Sequence, residues 1–417
     1  MNLYRLELKR VCKTRMTAIL LAIALVLAVV MAYLPVTFIG WTELDASGNE
    51  VRYTGLKAIR KRQEQQVSGT ITPDVMQEAL EAYQQVYRQY DASSINDIPV
   101  EVFYKELARY QPLVNNAKEA FADPKTGMAP GVMRLTAEDM QNFYSQLPKR
   151  LESVIWLEQS GKPGYEQAQA IAQKKFDAVQ KPFTYSFGVS SDAMDYQTLL
   201  SLLLTLLCAV IAAPVFASDA QTGAQDIQLC TKNGGLRLAA AKLAAAFSIT
   251  GAAYLLCGVV WILVTNALFG WESTQTSVQW LFSVTSLLPY TVGQMEWVML
   301  VANFLIFFAE VAFVLMASVW AKNNLTALSV ALISVVAPLI VYMVVPGSFG
   351  EWLSTLLPAG GIGLSNALQY KMISFDFLYA GGHAFFQADV LLASAPIKIV
   401  LLVGLAAWGY LRKTKVA

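Results

Sequence analysis

Long apolar runs alternate with polar stretches along this chain in a simple rhythm. The runs at 16–36, 197–217, 238–269, 295–320, 325–345 and 390–411 each reach the ~20 apolar residues that a helix needs to cross a bilayer, and they predict six transmembrane helices. Residues 40–195, between the first two runs, are charged, Gln-rich and Tyr-rich, and long enough to be a domain of their own. A short polar stretch, 218–236, separates the second run from the third. The segment 346–389 is too apolar for a plain loop and holds the breaker Pro358-Ala359-Gly360-Gly361; it reads as a re-entrant or interfacial segment.

Inside 40–195 the apolar positions recur in alternating steps of four and three. Met76, Leu80, Tyr83, Tyr87 and Tyr90 form one stripe; Phe103, Leu107, Tyr110, Val114, Ala117 and Phe121 form a second; Met140, Tyr144, Leu147, Leu151 and Val154 form a third. Such stripes want partner helices, so the region predicts a helical bundle or long helical hairpins. Pro112 and Pro148 fall inside two of the patterns and are expected to kink or divide them. Asp123–Gly127 and Ser160–Gly164 read as turns. The tyrosines, with Glu78 and Glu81 nearby, read as packing beside a solvated face, and no chemistry is assigned to them. The fold class is therefore an all-α membrane protein.

Residues 1–15 place Tyr4, Leu8 and Val11 on one helical stripe and Arg5, Lys9 and Lys13 on another. This reads either as an amphipathic elbow helix at the membrane surface or as a generic basic flank that fixes topology. The apolar run that follows continues to Tyr33-Leu34-Pro35, longer than a cleaved leader requires, and reads as an uncleaved signal anchor. Outside 40–195 the Lys and Arg residues are numbers 5, 9, 10, 13, 15, 232, 237, 242, 322, 371, 398, 412, 413 and 415. With both termini in the cytoplasm only 371 and 398 break the positive-inside rule, so twelve of fourteen obey it. That pattern predicts 40–195 on the outer side of a plasma membrane.

Phe216 to Lys242 is the polar hinge around which the rest is arranged. Ser218 with Gln221 fits a capping box, Ala220, Ala224 and Ile227 fall at i, i+4, i+7, and Gly234-Gly235 supplies a stop. Asp219, Thr222, Gln225, Asp226 and Gln228 form the polar face of a short helix lying flat under the membrane, a docking surface. Phe216, Asp219, Gly223, Ile227-Gln228-Leu229, Thr231, Gly235, Arg237 and Lys242 together resemble the coupling-helix segment of ABC type-2 permeases, with Asp219 where that family often has Glu. The resemblance implies a permease subunit of an ATP-driven exporter, in a bacterial membrane. It would meet cytosolic ATPase subunits through Asp219, Gly223, Asp226, Ile227, Leu229, Thr231 and Arg237, and pair with a second permease copy or a paralogue. The family also has an elbow helix at its N-terminus and short re-entrant half-helices at the place of 346–389; many members have only a short loop at the place of 40–195.

Composition agrees with a bilayer: 55% of the residues are hydrophobic, 15% charged, and mean hydropathy is +0.44, too apolar for a soluble chain of 417 residues. No basic patch interleaved with aromatics suggests nucleic acid. No GxxxxGK[ST] occurs, so ATP and magnesium are expected on the partner ATPase and no cofactor on this chain. The four cysteines, Cys12, Cys208, Cys230 and Cys257, lie outside 40–195 and lack metal-ligand spacing, and the single His383 cannot complete a zinc site or a catalytic triad. Glu310 is the notable intramembrane group. With Asn303 and Asn266 it reads either as part of a substrate path or as interhelical glue. Lys398 reads as a snorkelling side chain. A rival reading of the whole is a surface receptor or secretion scaffold without ATP, resembling phage infection proteins, in which the 219–237 hinge is only a polar turn.

Overall fold

The structure, a computed structural model, describes residues 3–45 and 49–414. Lys415, counted above among the inward charges, lies outside the described residues, as do Met1 and Asn2 of the predicted elbow. Six helices among the described residues are long and apolar enough to cross a bilayer, consistent with an integral membrane protein. They are Arg15–Phe38, Ser191–Thr222, Leu236–Phe269, Val292–Trp320, Asn324–Val344 and Gln387–Lys413, spans 1 to 6 below. Each falls on one predicted run. Span 2 departs most, beginning at Ser191 instead of 197, where the Ser190 hydroxyl caps it by accepting from the Ala193 amide at 3.3 Å.

Span 4 is the central helix and packs against spans 2, 3, 5 and 6. Its buried face carries Ile306, Phe307, Val311, Val314 and Leu315, and Phe307 stacks on Tyr254 of span 3 at 4.4 Å. The helix Leu3–Cys12 lies along span 3, and span 1 packs on spans 2 and 3. Three contacts gather the chain at one end of the bundle: Arg10 to Asp219, the Asn324 amide to Gln221 Oε1 at 3.0 Å, and Lys413 Nζ to the Val319 carbonyl at 2.5 Å.

Between spans 1 and 2 the chain is mainly helical, with Pro73–Gln89, Gln111–Ala120, Phe143–Gln159 and Tyr165–Asp177 as its longer helices. Met76, Leu80, Tyr83, Tyr87, Leu147 and Leu151 are buried along the predicted stripes. Pro112 divides its stripe by starting a new helix, where its missing N–H leaves nothing unpaired. Pro148 does not divide its helix.

The chain is mostly helical, as the all-α reading expects, with small sheets besides. Among the described residues there are three two-stranded antiparallel sheets: Gly40–Leu44 with Glu50–Thr54, Gly69–Thr70 with Thr184–Tyr185, and Phe377–Ala380 with His383–Phe386. The last turns through Gly381 and Gly382 at φ 57° and 80°, the left-handed pair that a two-residue hairpin loop requires. The segment 346–389 thus holds two short helices, Gly347–Leu356 and Leu368–Ile373, followed by this hairpin.

The 40–195 region is tied to the far ends of the spans through their connecting loops. Gln63 Nε2 donates to the Phe269 carbonyl at 2.6 Å, and the Ser277 amide to the Thr184 carbonyl at 2.9 Å. Gln159 Nε2 donates to the Phe375 carbonyl at 2.7 Å. The Ala384 amide donates to Gln167 Oε1 at 3.1 Å, and Lys175 pairs with Asp389 at 3.0 Å.

Candidate functional site

The site is built at the gathered end, from the joint that turns span 2. Pro214 lacks an N–H and opens a second helical segment, Pro214–Thr222. Its first turn leaves backbone amides without helical partners. Ser318 of span 4 supplies them: its Oγ accepts from the Phe216 and Ala217 amides at 3.1 and 3.0 Å and donates to the Ala213 carbonyl at 2.6 Å. One hydroxyl thereby locks the joint to the central helix.

Asp219 follows one turn later and is 7% exposed. Arg10 Nη1 donates to its two oxygens at 2.8 and 3.0 Å, while Nη2 reaches the Val215 carbonyl at 3.0 Å. Lys242, at the start of span 3 and with its side chain fully buried, pairs with Asp219 Oδ2 and donates to Gln228 Oε1 at 3.0 Å. Its ammonium also lies 5.5 Å from the Phe216 ring centroid, and Glu7 pairs with Arg10 Nε at 2.8 Å. Two cations around one carboxylate hold the N-terminal helix, span 2 and span 3 together.

Gly223 then stops the helix at φ 72°, in the left-handed region, and a separate helix runs Ala224–Leu229. This corrects the single helix expected from Ser218. Ser218 lies inside Pro214–Thr222 instead of capping it, and the break at Gly223 destroys the phase that put Ala220, Ala224 and Ile227 on one buried stripe. Ile227 is 74% exposed, whereas Asp219 and Gln225, read as polar-face residues, are buried. Asp226, Thr231 and Arg237 are exposed and Leu229 is half-buried. The outer surface of the hinge therefore presents Asp226, Ile227, Thr231 and Arg237, with Leu236 exposed beside them. A groove of about 540 Å³ runs alongside, between Asp226 and Leu229 on one wall and Trp320, Arg412 and Lys413 on the other.

Within the spans, the polar groups sit in separate contacts. Asn266 Nδ2 donates to Glu296 Oε2 at 2.6 Å, and Gln197 Nε2 to the Glu296 carbonyl at 2.9 Å. Glu310, fully buried, meets Ser334 of span 5 at 2.5 Å. Asn303 is buried beside Tyr254 and Met299, and no hydrogen bond among the described residues joins it to Asn266 or Glu310. Glu296 escaped sequence reading because it stands next to Trp297 at the edge of its apolar run, where an acid reads as an interface residue. Lys398, read as a snorkelling side chain, donates through its Nζ to the Thr355 and Leu357 carbonyls at 2.9 and 3.0 Å, capping the C-terminal end of Gly347–Leu356. His383 sits in the last hairpin, its Nδ1 3.3 Å from Gln167 Oε1. No group of His, Cys, Asp and Glu suited to a metal ion occurs among the described residues.

In comparisons with protein-family models, curated proteins and solved structures, no match to this chain is found.

Proposed function

We propose that the chain is the permease subunit of an ATP-driven exporter of the ABC type-2 kind, and that residues 223–237 dock a separate cytosolic ATPase subunit. The observation that carries this reading is Ile227: a large apolar side chain, 74% exposed, on a short helix between two spans and braced from behind by Arg10, Asp219 and Lys242. An exposed apolar residue ringed by charged and polar neighbours suits a protein partner. The bracing suits force transmission, because a push on Ala224–Leu229 reaches spans 2 and 3 through Gln228, Lys242 and Asp219. On this reading ATP and magnesium reside on the ATPase, both termini are cytoplasmic, residues 40–195 face outward, and a second permease copy or a paralogue completes the transporter.

Co-expression with a candidate ABC ATPase subunit from the same organism tests the proposal. The two proteins are expected to co-elute, and Ile227→Asp and Arg237→Glu each to cut permease-stimulated ATP hydrolysis by about tenfold, the loss of one buried contact at an interface centre. Unchanged co-elution and hydrolysis in both variants would remove the docking surface and favour a scaffold working without ATP.

A further inference from the structure

Arg62, in the helix Leu56–Gln65, is a cation that no anion among the described residues pairs with, and its Nε is buried with no hydrogen-bond acceptor. Its guanidinium lies 4.2 Å from the ring centroid of Phe187 and 5.8 Å from that of Trp41. Burial lowers its pKa from the ordinary guanidinium value, opposed only by Tyr185 and Tyr104, although a guanidinium keeps its proton in such surroundings. Ring faces answer the charge in part, and among the described residues Nε keeps an N–H donor with no acceptor.

The same side chain lines a cavity of about 460 Å³, within the range of small-molecule sites. Tyr185, Phe187 and Trp280 supply aromatic walls, and Ser186 and Ser191 supply polar ones. The wall that carries Phe187 is fixed in place. The Ser186 amide donates to Thr276 Oγ1 at 3.0 Å, Thr276 Oγ1 donates back to the Ser186 carbonyl at 2.9 Å, and Gln63 Nε2 donates to the Phe187 carbonyl at 3.2 Å. A preformed pocket spares a ligand the cost of ordering it. Phe38, Ile39 and Gly40 at the end of span 1, and Ser190, Ser191 and Asp192 at the start of span 2, frame the cavity. Where two spans end together, hydrocarbon gives way to headgroups. Asp192, the one carboxylate on the lining, is exposed and makes no ion pair with Arg62 among the described residues.

We propose that this cavity binds an anionic amphiphile, its carboxylate or phosphate seated on Arg62 and its apolar body against Phe187, Trp280 and the end of span 1. The recognition chemistry is the same whether the acid group belongs to a membrane lipid or to a soluble organic anion. The inference is independent of the ATPase-docking reading, since it concerns the opposite end of the bundle.

The test uses the full chain purified in a neutral maltoside detergent and titrated with decanoate and with decanol, read by tryptophan fluorescence. Decanoate is expected to bind at least about tenfold more tightly than decanol, the effect of one charge-assisted contact. R62Q should erase that preference and R62K restore part of it. Repeating the decanoate titration in nanodiscs of phosphatidylglycerol and of phosphatidylcholine separates the sources. Loss of binding only in phosphatidylglycerol assigns the site to a lipid headgroup, and equal binding in both assigns it to a soluble anion. Equal affinity of the wild-type chain for decanoate and decanol overturns the proposal, and so does a folded R62Q that keeps the preference. Should R62Q fail to fold, S191D sets a negative charge on the lining. The preference must then shrink, and an unchanged preference overturns the proposal equally.

Discussion

Asp219 does a different job from the one its place in the sequence suggests. Read along the chain, it belongs to the polar face of a docking helix; in the structure it lies behind that surface, paired with Arg10 and with the fully buried Lys242. Breaking a buried ion pair from one side is costly because the other charge is left without compensation, typically by about 3–5 kcal/mol. Asp219→Asn is therefore expected to lower the thermal stability of the purified chain by about 3 kcal/mol or more, while the exposed Ile227→Asp leaves it within about 0.5 kcal/mol of wild type. Adding Lys242→Met to Asp219→Asn should recover much of the loss, since the stranded ammonium is then gone. Equal melting of Asp219→Asn and wild type would show that the two cations find other partners. Residues 219 and 227 thus divide the hinge between them, one buried in its ion pairs and the other exposed at its surface.

At the scale of elements, the joint between Ala212 and Pro214 depends on a side chain from another helix. Ser318 satisfies two amides that Pro214 and the new helix start leave open, and a buried unsatisfied amide costs about 1–3 kcal/mol. Ser318→Ala should speed hydrogen exchange of a peptide covering 213–222 while leaving 195–210 as protected as before; equal protection of both peptides would argue against the joint. The six spans were legible because a run of apolar residues of bilayer length has few other readings, and the insert's helices because most of their stripe positions are buried, Met76, Leu80, Tyr83 and Tyr87 among them, although Tyr90 at the end of the first stripe is exposed. Other features were not legible, for physical reasons. The hairpin of Phe377–Ala380 and His383–Phe386 announced itself only by Gly381-Gly382 within a stretch apolar enough to pass for helix. The break at Gly223 depends on one backbone conformation, which composition does not display. The Asn266–Glu296 pair joins spans 3 and 4 across 30 positions, a long-range contact that no local pattern encodes.

For the molecule as a whole, structure and charge pattern bear on the same question from different sides. The contacts Arg10 to Asp219, Gln221 to Asn324 and Lys413 to Val319 gather the N-terminal helix, the hinge, the span 4–5 turn and the end of span 6. That gathered end carries Arg5, Lys9, Arg10, Lys13, Lys232, Arg237, Lys322 and Arg412. Lys398 and the ion-paired Lys371 belong to the other end, with the 40–195 region. A basic end of this kind is retained in the cytoplasm during insertion, so the hinge should be reachable only from inside. The chain supplies its own reporter: Cys230, beside the hinge, is exposed, Cys208 and Cys257 are buried, and Cys12 is the other exposed thiol. In a Cys12→Ser chain, a membrane-impermeant maleimide should leave intact cells unlabelled and modify Cys230 once the membrane is opened. Labelling of Cys230 in intact cells would put the hinge outside, where no ATP-driven partner operates, and would reverse the side assigned to the 40–195 region with it.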